Sequence, residues 1–252
     1  MSEKGSLDPK CSLESVSSGK CRMADQFLMG QSDIALTLRR SARARRITLR
    51  ISQLDGRVTL TLPRGVSERE AFKFADQKAG WIRKHLAARA SDVPVGIGQT
   101  IPIDGELREI MTGKGRSVML EPGYLLVPGP VDRVPARTLG FLKVLARDRL
   151  TQASDHYAYR LGRPYTGLSL RDTRSRWGSC SSSGRLMYSW RLILAPCAVL
   201  SYVAAHEVAH LAQMNHSPAF WDEVTKIYGP YAEQRRWLRE EGGALHRYRF
   251  GD

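Results

Sequence analysis

No run in the chain approaches the ~18 consecutive apolar residues of a membrane helix. Yet 42% of its 252 residues are hydrophobic, enough for a globular core. The first residues are polar and lysine-bearing, without the apolar stretch of a secretory leader, so a cytoplasmic protein with no membrane partner is expected. Cysteine is scarce. Cys11, Cys21, Cys180 and Cys197 are the only four, and none forms a CxxC pair. That spacing argues against a disulfide framework and against a cysteine-based zinc site. Cys180 and Cys197 fall in apolar segments, and all four cysteines are expected to be small buried side chains or idle thiols. Acid is also short. Asp and Glu number 25 against 39 Lys and Arg, a net charge of +14. Such an excess attracts nucleic acid, acidic proteins or anionic surfaces. It is spread along the chain, which describes a basic surface rather than one reading helix.

Histidine is rare too, six in all, but three of them fall in one stretch. It reads His206-Glu207-Val208-Ala209-His210-Leu211-Ala212-Gln213-Met214-Asn215-His216. Residues four apart on a helix share a face, with Cβ atoms about 5–6 Å apart. His206 and His210 can therefore reach one Zn²⁺ at roughly 2.0–2.1 Å each. Glu207 flanks the metal, placed to take a proton from water activated there. A helix ending near Met214–Asn215 lets the chain turn back and present His216 as third ligand. Three protein ligands leave a position open, the mark of a catalytic rather than a structural zinc.

Around this stretch the expected fold class is α+β. Residues 1–30 are Ser/Gly/Lys-rich and read as a disordered tail. Residues 31–130 read as a β-rich region. Asp33–Thr37, Ile47–Ile51 and Val58–Leu62 alternate apolar and polar, as three strands of a small antiparallel sheet with a turn at Asp55-Gly56. The arginines of Arg39–Arg46 form a hairpin tip or a ragged charged edge between the first two strands. Ser67 and Glu70 make a capping box for a helix running to about Ala88. Short strands at 101–103, 106–111, 117–120 and 124–127 suggest a second layer on the first sheet. Residues 131–252 read as the catalytic domain. An amphipathic helix spans Val134–Leu161 and stops at Gly162. Strands at 168–180 and 185–190, with a turn at 181–184, make a small sheet packed on the active-site helix. Its edge offers an extended peptide main-chain hydrogen bonds. Trp177 and Trp190 are expected to pack that sheet on the helix. Pro196 opens the active-site helix, and Ser217-Pro218 opens the next.

Three segments together resemble the YgjP-like metallopeptidase family. They are Arg174-Ser175-Arg176-Trp177-Gly178-Ser179-Cys180, Ser189-Trp190-Arg191-Leu192-Ile193-Leu194-Ala195-Pro196, and the histidine stretch through Ser217-Pro218-Ala219-Phe220-Trp221. The resemblance covers roughly residues 31–250. It implies a zincin-like domain related to SprT-like and minigluzincin-type peptidases. It also implies zinc ligands His206, His210 and His216, with Glu207 as catalytic base. Metzincins place Gly three after the second histidine, where this chain has Gln213. A gluzincin arrangement would instead use Glu223 or Glu233 as third ligand.

The function expected is a zinc-dependent metallopeptidase acting on a peptide or protein, with one Zn²⁺ per chain. Tyr228, Tyr231 and Arg235 are candidates to steady the oxyanion. Asp222 and Asn215 are candidates to orient an imidazole. The alternative is a basic nucleic-acid-associated module with a structural zinc.

Overall fold

A computed structural model describes residues 26–28, 31–52, 56–87 and 91–251. The tail expected at 1–30 lies outside the described residues except for Gln26–Leu28, which form a strand rather than a disordered segment. Asp55 of the expected turn lies outside them too.

The chain divides into two compact units. One holds Arg57–Gly80 and the described residues before Ser52; the other holds Ser52–Gly56 and the chain from Trp81 onward. In the first unit are β1 (Gln26–Leu28), β2 (Gln31–Arg40), β3 (Thr48–Ile51) and β4 (Val58–Leu62), in the sheet order β1-β2-β4-β3. β1 with β2 and β3 with β4 are antiparallel, but β2 and β4 run parallel. This corrects the antiparallel expectation. Alternation marks a strand without naming its neighbour. β4 is Val-Thr-Leu-Thr-Leu with its apolar face fully buried, so it takes a central place. β3 is exposed on its polar side and takes the edge. Arg39 and Arg40 thus end β2, and Arg43, Arg45 and Arg46 sit on the crossover to β3, not at a hairpin tip.

Helix α1 (Glu68–Gln77) starts at Ser67. The Ser67 hydroxyl accepts from Glu70 N at 3.2 Å, and the Glu70 carboxylate accepts from Ser67 N at 3.0 Å, the reciprocal pair the sequence predicts. Ala71 and Ala75 are buried with Leu36, Leu60 and Leu62 of the sheet. The helix breaks at Lys78. A second segment, α2 (Ala79–Ala87), continues it.

After α2 the larger unit continues with β5 (Val93–Pro94), then β6 (Thr100–Ile103), β7 (Glu106–Thr112), β8 (Met119–Glu121) and β9 (Tyr124–Val127). The last four form a sheet in the order β6-β7-β9-β8, again with a parallel central pair. Helix α3 (Val134–Leu161) ends at Gly162, whose φ of 73° suits glycine in the left-handed cap. Ile101, Ile103, Ile110, Leu125 and Val127 are buried in one core with Leu142, Ala146 and Leu150 of α3. The expected layer on the first sheet is therefore corrected: α3 and its neighbours take up this sheet's apolar face.

Next come β10 (Gly167–Arg171), β11 (Gly178–Cys180) and β12 (Arg185–Ser189), in the order β10-β12-β11. A 3₁₀ segment at Trp190–Leu194 is wholly buried and leads into α4 (Cys197–Ala209). Helices α5 (Pro218–Tyr228) and α6 (Ala232–Glu240), a 3₁₀ segment at Gly242–Arg247 and β13 (Tyr248–Arg249) complete the chain. β13 pairs with β5. Arg191 fastens this end. It binds Asp172 through both carboxylate oxygens at 2.7 and 3.0 Å, and donates to the carbonyls of Leu245 and Tyr248. Cys180 is half-buried and Cys197 exposed, both as free thiols. Among the described residues no helix is long and apolar enough to cross a membrane.

Candidate active site

Helix α4 is apolar nearly all round, as a helix inside a core must be. Val199, Leu200, Tyr202, Val203, Ala204, Ala205, Val208 and Ala209 are all buried. His206 and Glu207 stand on its last turn, and His210 is its C-cap. The helix stops about a turn earlier than the expected Met214–Asn215. Beyond Val208 the backbone tightens: Leu211 N bonds Val208 O and Ala212 N bonds Ala209 O, each three residues back. The histidines therefore sit at a helix C-terminus, where the backbone dipole favours a cation.

The return to α5 brings in His216. Asn215 accepts from Ser217 N through its side-chain oxygen at 3.3 Å, a tight turn before Pro218. Ser217 is the N-cap residue by backbone, but its hydroxyl makes no capping bond. The imidazole nitrogens of His206, His210 and His216 lie within 4.8 Å of one another. The Nε2 atoms of His206 and His216 are 3.1 Å apart. Phe220, fully buried, lies against all three rings at 4.4–4.9 Å.

His210 Nδ1 faces the carbonyl of Gln213 at 2.9 Å. A carbonyl only accepts, so Nδ1 carries the hydrogen and Nε2 keeps its lone pair. This orienting partner is backbone, which residue type did not reveal. Asn215, expected in that role, is engaged with Ser217 instead. Among the described residues no hydrogen bond joins Asp222 to an imidazole, and His206 Nδ1 is buried without a partner. Burial, then the neighbouring histidines and Arg235, hold the His206 imidazole down to about 3. Burial also lowers His210, against the Gln213 bond. Both rings are thus neutral near pH 7, the form that binds a metal. Converging neutral nitrogens at a helix C-terminus fit a zinc ion. Glu223, 3.5 Å from Lys226, and Glu233 are not among the three converging residues.

Glu207 is buried beside them. Burial pushes its carboxyl up to about 8, with Arg176 pulling the other way. Its neighbour is the backbone of β11, the edge strand of its sheet. A Cβ on Gly178 would lie 2.5 Å from Glu207 Cγ and 2.6 Å from Oε1. Only glycine allows that approach. The sequence reading missed this residue, although glycine inside a strand is itself a signal of close packing.

A pocket of about 260 Å³ opens at this point, lined by Arg176, Trp177, Tyr202, His206, Glu207 and Arg235 among others. Trp190 is buried, as expected of a packing residue, but Trp177 is only half-buried and lines the pocket. Its other side meets His246 at 5.3 Å and Gly242. Of the oxyanion candidates, Tyr228 donates its hydroxyl to Ala198 O at 2.9 Å. Tyr231 stacks between Tyr202 and Trp221. Arg235 lies over Trp221 and reaches the pocket.

Residues 45–241 match the family model described as YgjP-like, metallopeptidase domain. No curated protein matches the chain. A solved structure similar to part of it is the metallopeptidase zymogen abylysin of Pyrococcus abyssi. It is 21% identical over 37% of this chain and 95% of that one, with a TM-score of 0.34. The family match spans most of the sequence, both flanks of the histidine stretch included, and the chain belongs to the YgjP-like metallopeptidase family.

Proposed function

We propose that the protein is a zinc-dependent peptidase in which His206, His210 and His216 hold the metal and Glu207 is the general base. The observation that carries this reading is the meeting of three imidazoles within 4.8 Å beside one buried carboxylate. Zinc bound there would supply Lewis-acid polarisation of a carbonyl and bring the pKa of a water toward about 7. Glu207 takes the proton of the attacking water and returns it to the leaving amine. Burial raises its carboxyl, and a cation held by the histidines beside it would draw it back toward the carboxylate that accepts the proton. The substrate is a peptide lying extended along β11, whose free edge offers main-chain hydrogen bonds. Residues 131–252 are the proposed catalytic domain, preceded by the β-rich region of 31–130. A cytoplasmic location is part of the same proposal.

Glu207→Gln tests it. The amide keeps the shape of the side chain and loses the base. Zinc content should be unchanged, while peptide hydrolysis should fall by about 10²–10⁴-fold. Wild-type hydrolysis by a clean Glu207→Gln preparation would refute the role given to Glu207.

A further inference from the structure

The pocket beside Glu207 carries more positive charge than proton transfer requires. Arg176 and Arg235 both line it, and Glu207 is the only acid among the described residues that do. The two cations outnumber the one acid. A zinc ion would add to that excess. The rest of the wall is largely apolar, with Trp177, Tyr202 and Leu238.

The two arginines reach the pocket from different sides. Arg176 stands just before β11, and its charge bears on Glu207. Arg235 belongs to α6, and its charge bears on His206 and Tyr202. The Arg235 guanidinium lies 4.6 Å from the centre of the Trp221 ring, which restrains it. Both side chains are exposed enough to meet a ligand. A guanidinium offers paired N–H donors that match the two oxygens of a carboxylate. Set against apolar walls, such a pair gains strength from the reduced dielectric. A basic group brought to the same place meets two like charges. The net charge of +14 adds long-range attraction for acidic chains.

We propose that this pocket is a carboxylate subsite, so that the substrate is a peptide carrying a carboxylate next to the bond that is cut. The inference rests on the metallopeptidase reading of Glu207 and the three histidines. An Asp or Glu side chain and a free C-terminus present the same planar pair of oxygens, and either can supply it.

The test uses the full zinc-loaded chain and short alanine-rich peptides with a central Glu or Gln, each with a free or an amidated C-terminus. A carboxylate-bearing peptide should show kcat/KM about tenfold or more above its neutral counterpart. Preference for Glu over Gln identifies a side chain; preference for the free terminus identifies the α-carboxylate. Arg176→Gln and Arg235→Gln should each bring the ratio toward one, and added salt should shrink it. Equal rates on all the peptides would overturn the subsite and leave the peptidase reading standing. Calorimetric binding of the same peptides to Glu207→Gln gives a readout without turnover. Tighter binding of the carboxylate peptides there supports the subsite even if wild type cuts nothing, in which case the peptidase reading alone fails. Equal affinities overturn the subsite.

Discussion

A methyl group at position 178 has no place to go. It would meet Glu207 Cγ at 2.5 Å, far inside van der Waals contact, on the side chain proposed as the general base. Either Glu207 swings aside or β11 withdraws. Misplacement of about 1 Å costs on the order of a hundredfold in rate. Gly178→Ala is therefore expected to lower kcat/KM by that order while zinc content holds. The three atoms nearest to such a methyl all belong to Glu207, so metal analysis separates this effect from loss of the site. A Gly178→Ala enzyme with the wild-type rate would show that the close approach has no role. Residues near in sequence, His206, Glu207, His210 and His216, were legible because spacing alone brings them together. Gly178, Arg176 and Arg235 were not legible as a group. Their meeting depends on β11 and α6 lying beside α4, which no local pattern encodes.

At the scale of elements, the 3₁₀ segment at Gly242–Arg247 makes a prediction of its own. It carries His246, which is 5% exposed and tilted against Trp177 of the pocket wall, with ring centres 5.3 Å apart. Asp172, Arg191, Arg174 and Arg249 are the charged groups that act on it. Burial, with Arg191 adding to it and Asp172 opposing, holds its imidazole down to about 4 from the ordinary 6.5. Between those values the unfolded chain holds a proton at this site that the native chain does not. Stability is thus full above about pH 6.5 and falls as the pH drops toward about 4, by on the order of 3 kcal/mol. Urea unfolding at several pH values should show a shallower loss across this window in His246→Gln than in wild type. Parallel curves for the two proteins would contradict the assignment. The long elements were read well from sequence. The α3 helix has an apolar stripe, a glycine stop and enough length for periodicity to be plain. The end of α4 was misjudged because apolar residues continue past it, while the turn is closed by main-chain bonds and by the carbonyl of Gln213. Strand pairing departs from the antiparallel expectation in the first four-stranded sheet, and the second sheet shares its plan. Each joins two antiparallel pairs through a parallel centre, and alternation is the same in either pairing.

The molecule has two compact units and a net charge of +14, and every residue of the site lies in the larger unit. The α+β class and the metallopeptidase family followed from the combination of segments around the histidines. The division of the β-rich half between two units did not, because the sheets at 26–62 and 100–127 look alike in sequence and differ in what covers them. The account as a whole stands on the metal. Zinc per chain, measured by mass spectrometry on wild type beside His216→Ala, is the most direct test. One zinc per wild-type chain and a large loss of occupancy in His216→Ala is the predicted result. Full zinc occupancy in His216→Ala would contradict it and transfer the third ligand to another residue.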